Sequence, residues 1–168
     1  MQHWNDDTSG EADIDADGIR VLLVGDDDSF VLTLRDLFRE QGFRVRLAHD
    51  PRTAIARVGD GHAEVLVCDL GATRLQSIAT VLALRHLGED APPIIAVSAM
   101  PNVEQHCKAL KIEHGLSQPF RFSRLRDLAE RLGRQYRHVP TERSGVFLRE
   151  QADLVLDDLP ELEALNFG

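Results

Sequence analysis

Short runs of β-branched and leucine side chains recur along this chain, and each is followed by a stretch with helical apolar spacing. That alternation constrains the fold more than any other feature. Ile19 to Val24 reads as a strand buried on both faces. Ser29 is positioned to cap a helix in which Phe30, Leu34, Leu37 and Phe38 share a side, with Gly42 as its stop. Phe43 to Leu47 alternates as a strand with one wetter face, and Asp50-Pro51 opens a helix that turns Ala54, Ile55 and Val58 inward and closes at Gly59. The unit then repeats: a strand at Val65–Cys68, a helix at Leu75–Leu87, a strand at Ile94–Val97 and a helix at Val103–Leu110. A weak strand near Leu116 and a helix from Phe122 to Tyr136 finish the series. Strands alternating with helices of this length indicate βαβ units and a parallel sheet. Right-handed crossovers place helices on both of its faces. The expectation is one doubly wound α/β domain over residues 19–138.

Composition bounds the remainder. A hydrophobic share of 43% in 168 residues is enough for a core, and a net charge of −9 disfavours broad contact with nucleic acid or anionic membrane surfaces. Cys68 and Cys107 give neither a disulfide framework nor a metal spacing, which fits a reducing cytoplasm. No apolar stretch approaches the roughly 20 residues of a membrane span. Residues 1–18 hold six acids and no Lys or Arg, the reverse of a secretory n-region, and are expected to be a disordered acidic arm. Residues 139–168 are expected to be a linker followed by an acidic amphipathic tail with Leu156, Leu159, Leu162 and Leu165 at every third position. The helix before it is rich in arginine, from Arg121 to Arg137. That helix reads first as a solvated basic face; the sharper alternative is that opposite charge docks the tail on it or on a partner. The seven histidines show no metal-ligand spacing and read as surface or packing residues.

Chemistry concentrates at two strand ends. The first strand opens onto Gly25-Asp26-Asp27-Asp28, and the third ends at Asp69. In an open α/β sheet, ligands bind at the carboxyl ends of the strands. Carboxylates there can hold a divalent cation through hard oxygen ligands or attack a phosphoryl donor. Acids in the first turn of a helix also favour its dipole, which by itself would explain Asp28.

The order of these landmarks, with Ser98-Ala99 after the fourth strand and Gln118-Pro119-Phe120 after the fifth, resembles the receiver domain of bacterial response regulators. The resemblance implies a flavodoxin-like sheet of five parallel strands in the order 2-1-3-4-5. It implies Asp69 as phospho-acceptor and Ser98 as the hydroxyl that meets a phosphoryl oxygen. It also implies Mg²⁺ held by Asp26, Asp69 and the carbonyl of Gly71, with Asp27 as a further carboxylate near the metal. Partners implied are a histidine kinase or another signalling protein, and a homodimer through the fourth helix, fifth strand and fifth helix. No nucleic acid, membrane or enzymatic activity beyond self-catalysed transfer to Asp69 is expected.

Several positions depart from the family pattern. Alignment through Phe30, Leu34, Leu37 and Gly42 puts Gly25 at the family's first acid. A one-residue slip would restore an acidic pair from Asp26 and Asp27, but it would rotate the first helix's apolar stripe out of register. Gln118 stands at the family's lysine, Leu70-Gly71-Ala72-Thr73 lacks the usual Met-Pro, and Gly115 replaces the switch aromatic. Losing one charge-assisted contact costs about 1.5–3 kcal/mol. The expected function is an atypical receiver in two-component signalling, acting through protein contacts with weak or no phosphorylation. The alternative is an ordinary response regulator phosphorylated on Asp69, and a third option is small-ligand binding at the same sheet edge.

Overall fold

The apolar runs pair side by side as five parallel strands in a computed structural model that describes residues 18–26, 28–71, 75–138 and 145–167. The strands are β1 (Arg20–Val24), β2 (Arg44–Ala48), β3 (Val65–Asp69), β4 (Ile94–Ser98) and β5 (His114–Ser117), in the spatial order β2-β1-β3-β4-β5. The helices are α1 (Ser29–Glu40), α2 (Pro51–Gly59), α3 (Leu75–Arg85), α4 (Val103–Ala109), α5 (Phe122–His138) and α6 (Gly145–Phe167). The class is the one expected from the alternating pattern, and the strand order is the one the resemblance implies. The expected acidic arm, the loop at 72–74 and the linker at 139–144 lie outside the described residues.

Period-two alternation divides the core. Leu22, Val24, Leu66, Cys68, Ile94 and Ala96 face α2, α3 and α4, while Val21, Leu23, Val65, Val67, Ile95 and Val97 face α1 and α5. Phe38 of α1 meets Phe43 and Phe122 edge to face, each with ring centroids 5.0 Å apart, and so joins α1 to the start of α5. Burial pushes the Cys68 thiol up to about 12, and the residue serves as a small neutral core side chain.

Two helix boundaries differ from expectation. The cap of α1 is Asp28 rather than Ser29: the Val31 N–H donates to Asp28 Oδ1 at 3.0 Å, so one of the three acids serves the helix end. Helix α2 runs through Gly59, and the left-handed residue that ends it is Gly61, at φ +78°. Gly59 is glycine for another reason. A Cβ there would stand 2.6 Å from Cβ of Ala152, where α6 crosses α2.

The tail is helical, and it packs on α2 and α3 rather than on α5. Ala152, Val155 and Leu159 are buried in the α2–α3 side of the core, with Leu148 and Leu156 partly buried beside them. Arg149 reaches Asp60 at 2.7 Å. Burial of apolar surface decided the docking site: the α5 stripe of Leu125, Ala129 and Leu132 is already buried against the sheet. The side chains of Leu162 and Leu165 lie outside the described residues.

Candidate functional site

The carboxyl edge of the sheet carries Gly25, Asp26, Asp69, Gly71, Ser98 and Gln118 at or just past the ends of β1, β3, β4 and β5. The β1–β3 register pairs Val24 with Cys68, so Gly25 and Asp69 are next-door neighbours as the two strands end. An ideal Cβ on Gly25 would lie 3.3 Å from Asp69 Cβ and 2.9 Å from Val31 Cγ2. The space a first acid's side chain would start from is therefore filled by the first turn of α1. Asp26, the next residue, is exposed, whereas Asp69 is only 6% exposed. Asp27 lies outside the described residues.

Ser98 is fully buried at the end of β4. Its hydroxyl donates to the Leu70 carbonyl at 3.0 Å and accepts from the Met100 N–H at 3.0 Å, tying the loop after β3 to the loop after β4. Gln118 is half-buried beyond β5; its N–H donates to the Ser98 carbonyl at 2.8 Å, and its side chain brings no charge. The Gln118–Pro119 peptide is cis. Behind this edge, a Cβ on Gly115 would stand 2.6 Å from Cys107 Sγ, so α4 packs directly on β5 where the sequence lacks the family's aromatic. An apolar pocket of about 280 Å³, lined by Leu70, Gly71, Ile78, Met100 and Leu110, opens beside the loop that follows Asp69.

One participant was not anticipated. His49, just past β2, donates its Nδ1–H to the Gly25 carbonyl at 2.7 Å and so fixes the backbone that begins the acidic loop. The only sequence signal was its position one residue past a strand, on the same edge as Asp69. The seven histidines had no spacing that would single it out.

At the opposite edge of the sheet, Glu64 is 1% exposed. It accepts from Arg137 Nε at 2.6 Å and Nη2 at 2.8 Å, from Arg20 Nη2 at 3.2 Å and from the Arg20 N–H at 2.9 Å. Burial raises its pKa, but the Arg137 bonds, the Arg20 N–H and both positive charges outweigh that and hold the carboxyl below its usual range. This clamp fastens the end of α5 and is structural.

A divalent cation needs hard oxygens. Asp26, Asp69 and the Gly71 carbonyl are oxygen groups at neighbouring strand ends that would offer that chemistry, with water completing the shell of an ion such as Mg²⁺. Among the described residues, no three His, Cys, Asp or Glu side chains form a group able to hold a metal. The donor set suits an ion that retains several waters.

A doubly wound sheet in this strand order, with an aspartate ending β3 and a buried hydroxyl ending β4, defines a receiver-type module. Residues 21–130 match the response regulator receiver domain family, and the chain belongs to it. It is 32% identical over 116 residues to the transcriptional regulatory protein ZraR of Salmonella typhimurium, spanning 67% of this chain and 26% of that one. It is 28% identical over 152 residues to the response regulator MprA of Mycobacterium tuberculosis, spanning 89% and 64%. The match thus covers about a quarter of one relative and under two thirds of the other. The receiver domain of Francisella response regulator 1452 superposes with a TM-score of 0.58 at 25% identity, covering 68% of this chain and 96% of that one. Chemotaxis protein CheY4 of Vibrio cholerae shares the fold, with a TM-score of 0.58 at 24% identity over 68% and 98% of the two chains. The chain is a receiver domain of two-component signalling, a class of signalling module that typically binds Mg²⁺ at its acidic site. Among the described residues, no helix is long and apolar enough to cross a membrane.

Proposed function

We propose that this receiver signals through protein contacts and takes up phosphate at Asp69 weakly or not at all. The observation that carries this reading is Gly25, whose Cβ position is crowded by Val31 and Asp69 at 2.9 and 3.3 Å, so the missing acid has no ready space. Two further features support it. Gln118 offers no cation to a phosphoryl group, and the Ser98 hydroxyl must give up the hydrogen bond it donates to the Leu70 carbonyl, worth about 1 kcal/mol, before its O–H can turn to one.

Mg²⁺, when bound, neutralises charge on phosphoryl oxygens. Asp26, Asp27, Asp69 and the Gly71 carbonyl would hold it, with water replacing the carboxylate that Gly25 lacks. His49 keeps the Gly25 carbonyl in place while the acids beside it meet the ion. Asp69, at 6% exposure, is largely shielded from a donor in bulk solvent, which further slows transfer. The partners fitting this role are a histidine kinase or another signalling protein of the cytoplasm, engaged through α4, β5 and α5. Residues 19–138 act as the signalling body, with the segments on either side as extensions.

The experiment is incubation of the full chain with Mg²⁺ and acetyl phosphate or beryllofluoride, read by intact mass and amide NMR. The expected result is little or no adduct, with Gln118→Lys increasing uptake. Rapid, stoichiometric labelling that disappears in Asp69→Asn, with shifts around Ser98, would establish the second reading, an ordinary phospho-acceptor. Asp69 at the end of β3, in a chain of this family, favours that alternative.

A further inference from the structure

The acidic tail and the arginine-rich helix carry opposite charge, yet they lie on opposite sides of the sheet. Helix α6 packs outside α2 and α3, while α5 packs with α1 on the other face. Their exposed faces cannot meet within one molecule.

The outward stripe of α6 consists of Glu150, Asp153, Leu154, Asp157 and Asp158, all exposed and spaced as one helical face. Leu154 is 57% exposed at its centre, with acids on both sides. Arg149, the cation of that segment, is turned toward Asp60 at 2.7 Å. On the far side of the molecule, β5 and α5 border a surface groove of about 450 Å³. Gly115, Leu116 and Leu128 supply its apolar surface, and Arg124 and Arg131 stand exposed along it. Of the groove's acids, Asp127 is paired with Arg126 at 2.9 Å, whereas Glu113 stands exposed at the rim, 3.9 Å from the His114 ring. Arg121, also exposed, extends the positive face at one end, whereas Arg134 at the other is paired with Glu130 at 2.9 Å.

We propose that the β5–α5 groove is a docking site for α6 of a second copy of this chain. Leu154 enters the groove against Leu116 and Leu128, and the flanking acids meet Arg124 and Arg131. Three independent features agree: an apolar knob, a groove larger than the knob, and opposite charge around each. The contact is heterologous, tail to groove, so each copy retains one unused tail and one unused groove. Association therefore grows with concentration into open chains or closes into a ring. A contact this small and this charged is weak and salt-sensitive.

The test is sedimentation velocity of the full chain across concentration and salt. Self-association is expected at low ionic strength, weakened at least about tenfold between ~0.05 and ~0.5 M NaCl. Leu154→Ser and the pair Arg124→Glu with Arg131→Glu alter exposed residues, so both proteins fold, as circular dichroism checks. Each alone should be monomeric. Mixed, they should form a discrete one-to-one heterodimer, because the first keeps a working groove and the second a working tail. A chain monomeric at its highest soluble concentration in low salt would overturn the proposal. So would association that survives Leu154→Ser, which would point to a symmetric contact between two α5 faces.

Discussion

At the scale of single residues, two positions decide how the site and its support behave. Gly25 is where the family's first acid is missing, and the reason the acid cannot simply be restored is steric. Gly25→Asp should destabilise the fold by about 1–3 kcal/mol, since its Cβ would press on Val31 and Asp69. Adding Val31→Ala opens that space, and the double variant should bind Mg²⁺ more tightly than the native chain in an NMR titration. If Gly25→Asp alone binds Mg²⁺ tightly with no loss in a urea melt, the steric account is wrong. Glu64 is the second position. Its folded pKa lies below the usual value of 4.5, so its stabilisation is fully present above that pH and is lost as pH falls through the folded value. Glu64→Gln should cost about 1–3 kcal/mol at neutral pH and flatten the acid limb of the stability profile, measured by urea melts down to about pH 3. Neither effect was legible in the sequence. Gly25 was visible as a departure and Glu64 as an unremarkable acid before a strand, because a residue's neighbours in space are not its neighbours in the chain.

At the scale of elements, the crossing of α6 on α2 is a contact that sequence reasoning, which offered the last helix or a partner, did not include. Opposite charge argued for α5, but exposed charges attract weakly in water, whereas Ala152, Val155 and Leu159 gain by leaving it. The absence of a side chain on Gly59 lets the two helices approach closely. Ala152→Glu should therefore detach α6, since a carboxylate would be forced against α2 without a partner. Hydrogen exchange should show amides of residues 150–160 losing protection while those of β1 and β3 keep theirs. Unchanged protection of α6 in that variant would mean that the crossing contributes little. Gly59→Leu should have the same consequence from the other side, by overpacking. The strands and the first five helices were legible because each carries its own periodic signal and turn chemistry, as with Asp50 capping α2 through the Thr53 N–H at 2.8 Å.

At the scale of the whole molecule, the sheet separates three functions by place: acids at the carboxyl edge, the Glu64 clamp at the amino edge, and α6 against the α2–α3 side. Because α6 extends that part of the core, deleting residues 139–168 should expose Ile55, Val58 and Ile78 to water. The truncated chain should melt several degrees lower, on the order of 2–4 °C per kcal/mol lost, in a calorimetric scan. An unchanged melting temperature would make α6 an accessory with no part in the core. The sequence by itself determined the α/β class, the strand order through its likeness to receivers, and the residues that end each strand, because hydrophobic period and turn residues act locally. Only the tertiary structure decided which helix face the tail covers, that Val31 crowds the space beside Gly25, that His49 holds its carbonyl, and that Ser98 is committed to the backbone. Those outcomes depend on distances between segments remote in the chain, and packing sets such distances after every local preference has been met.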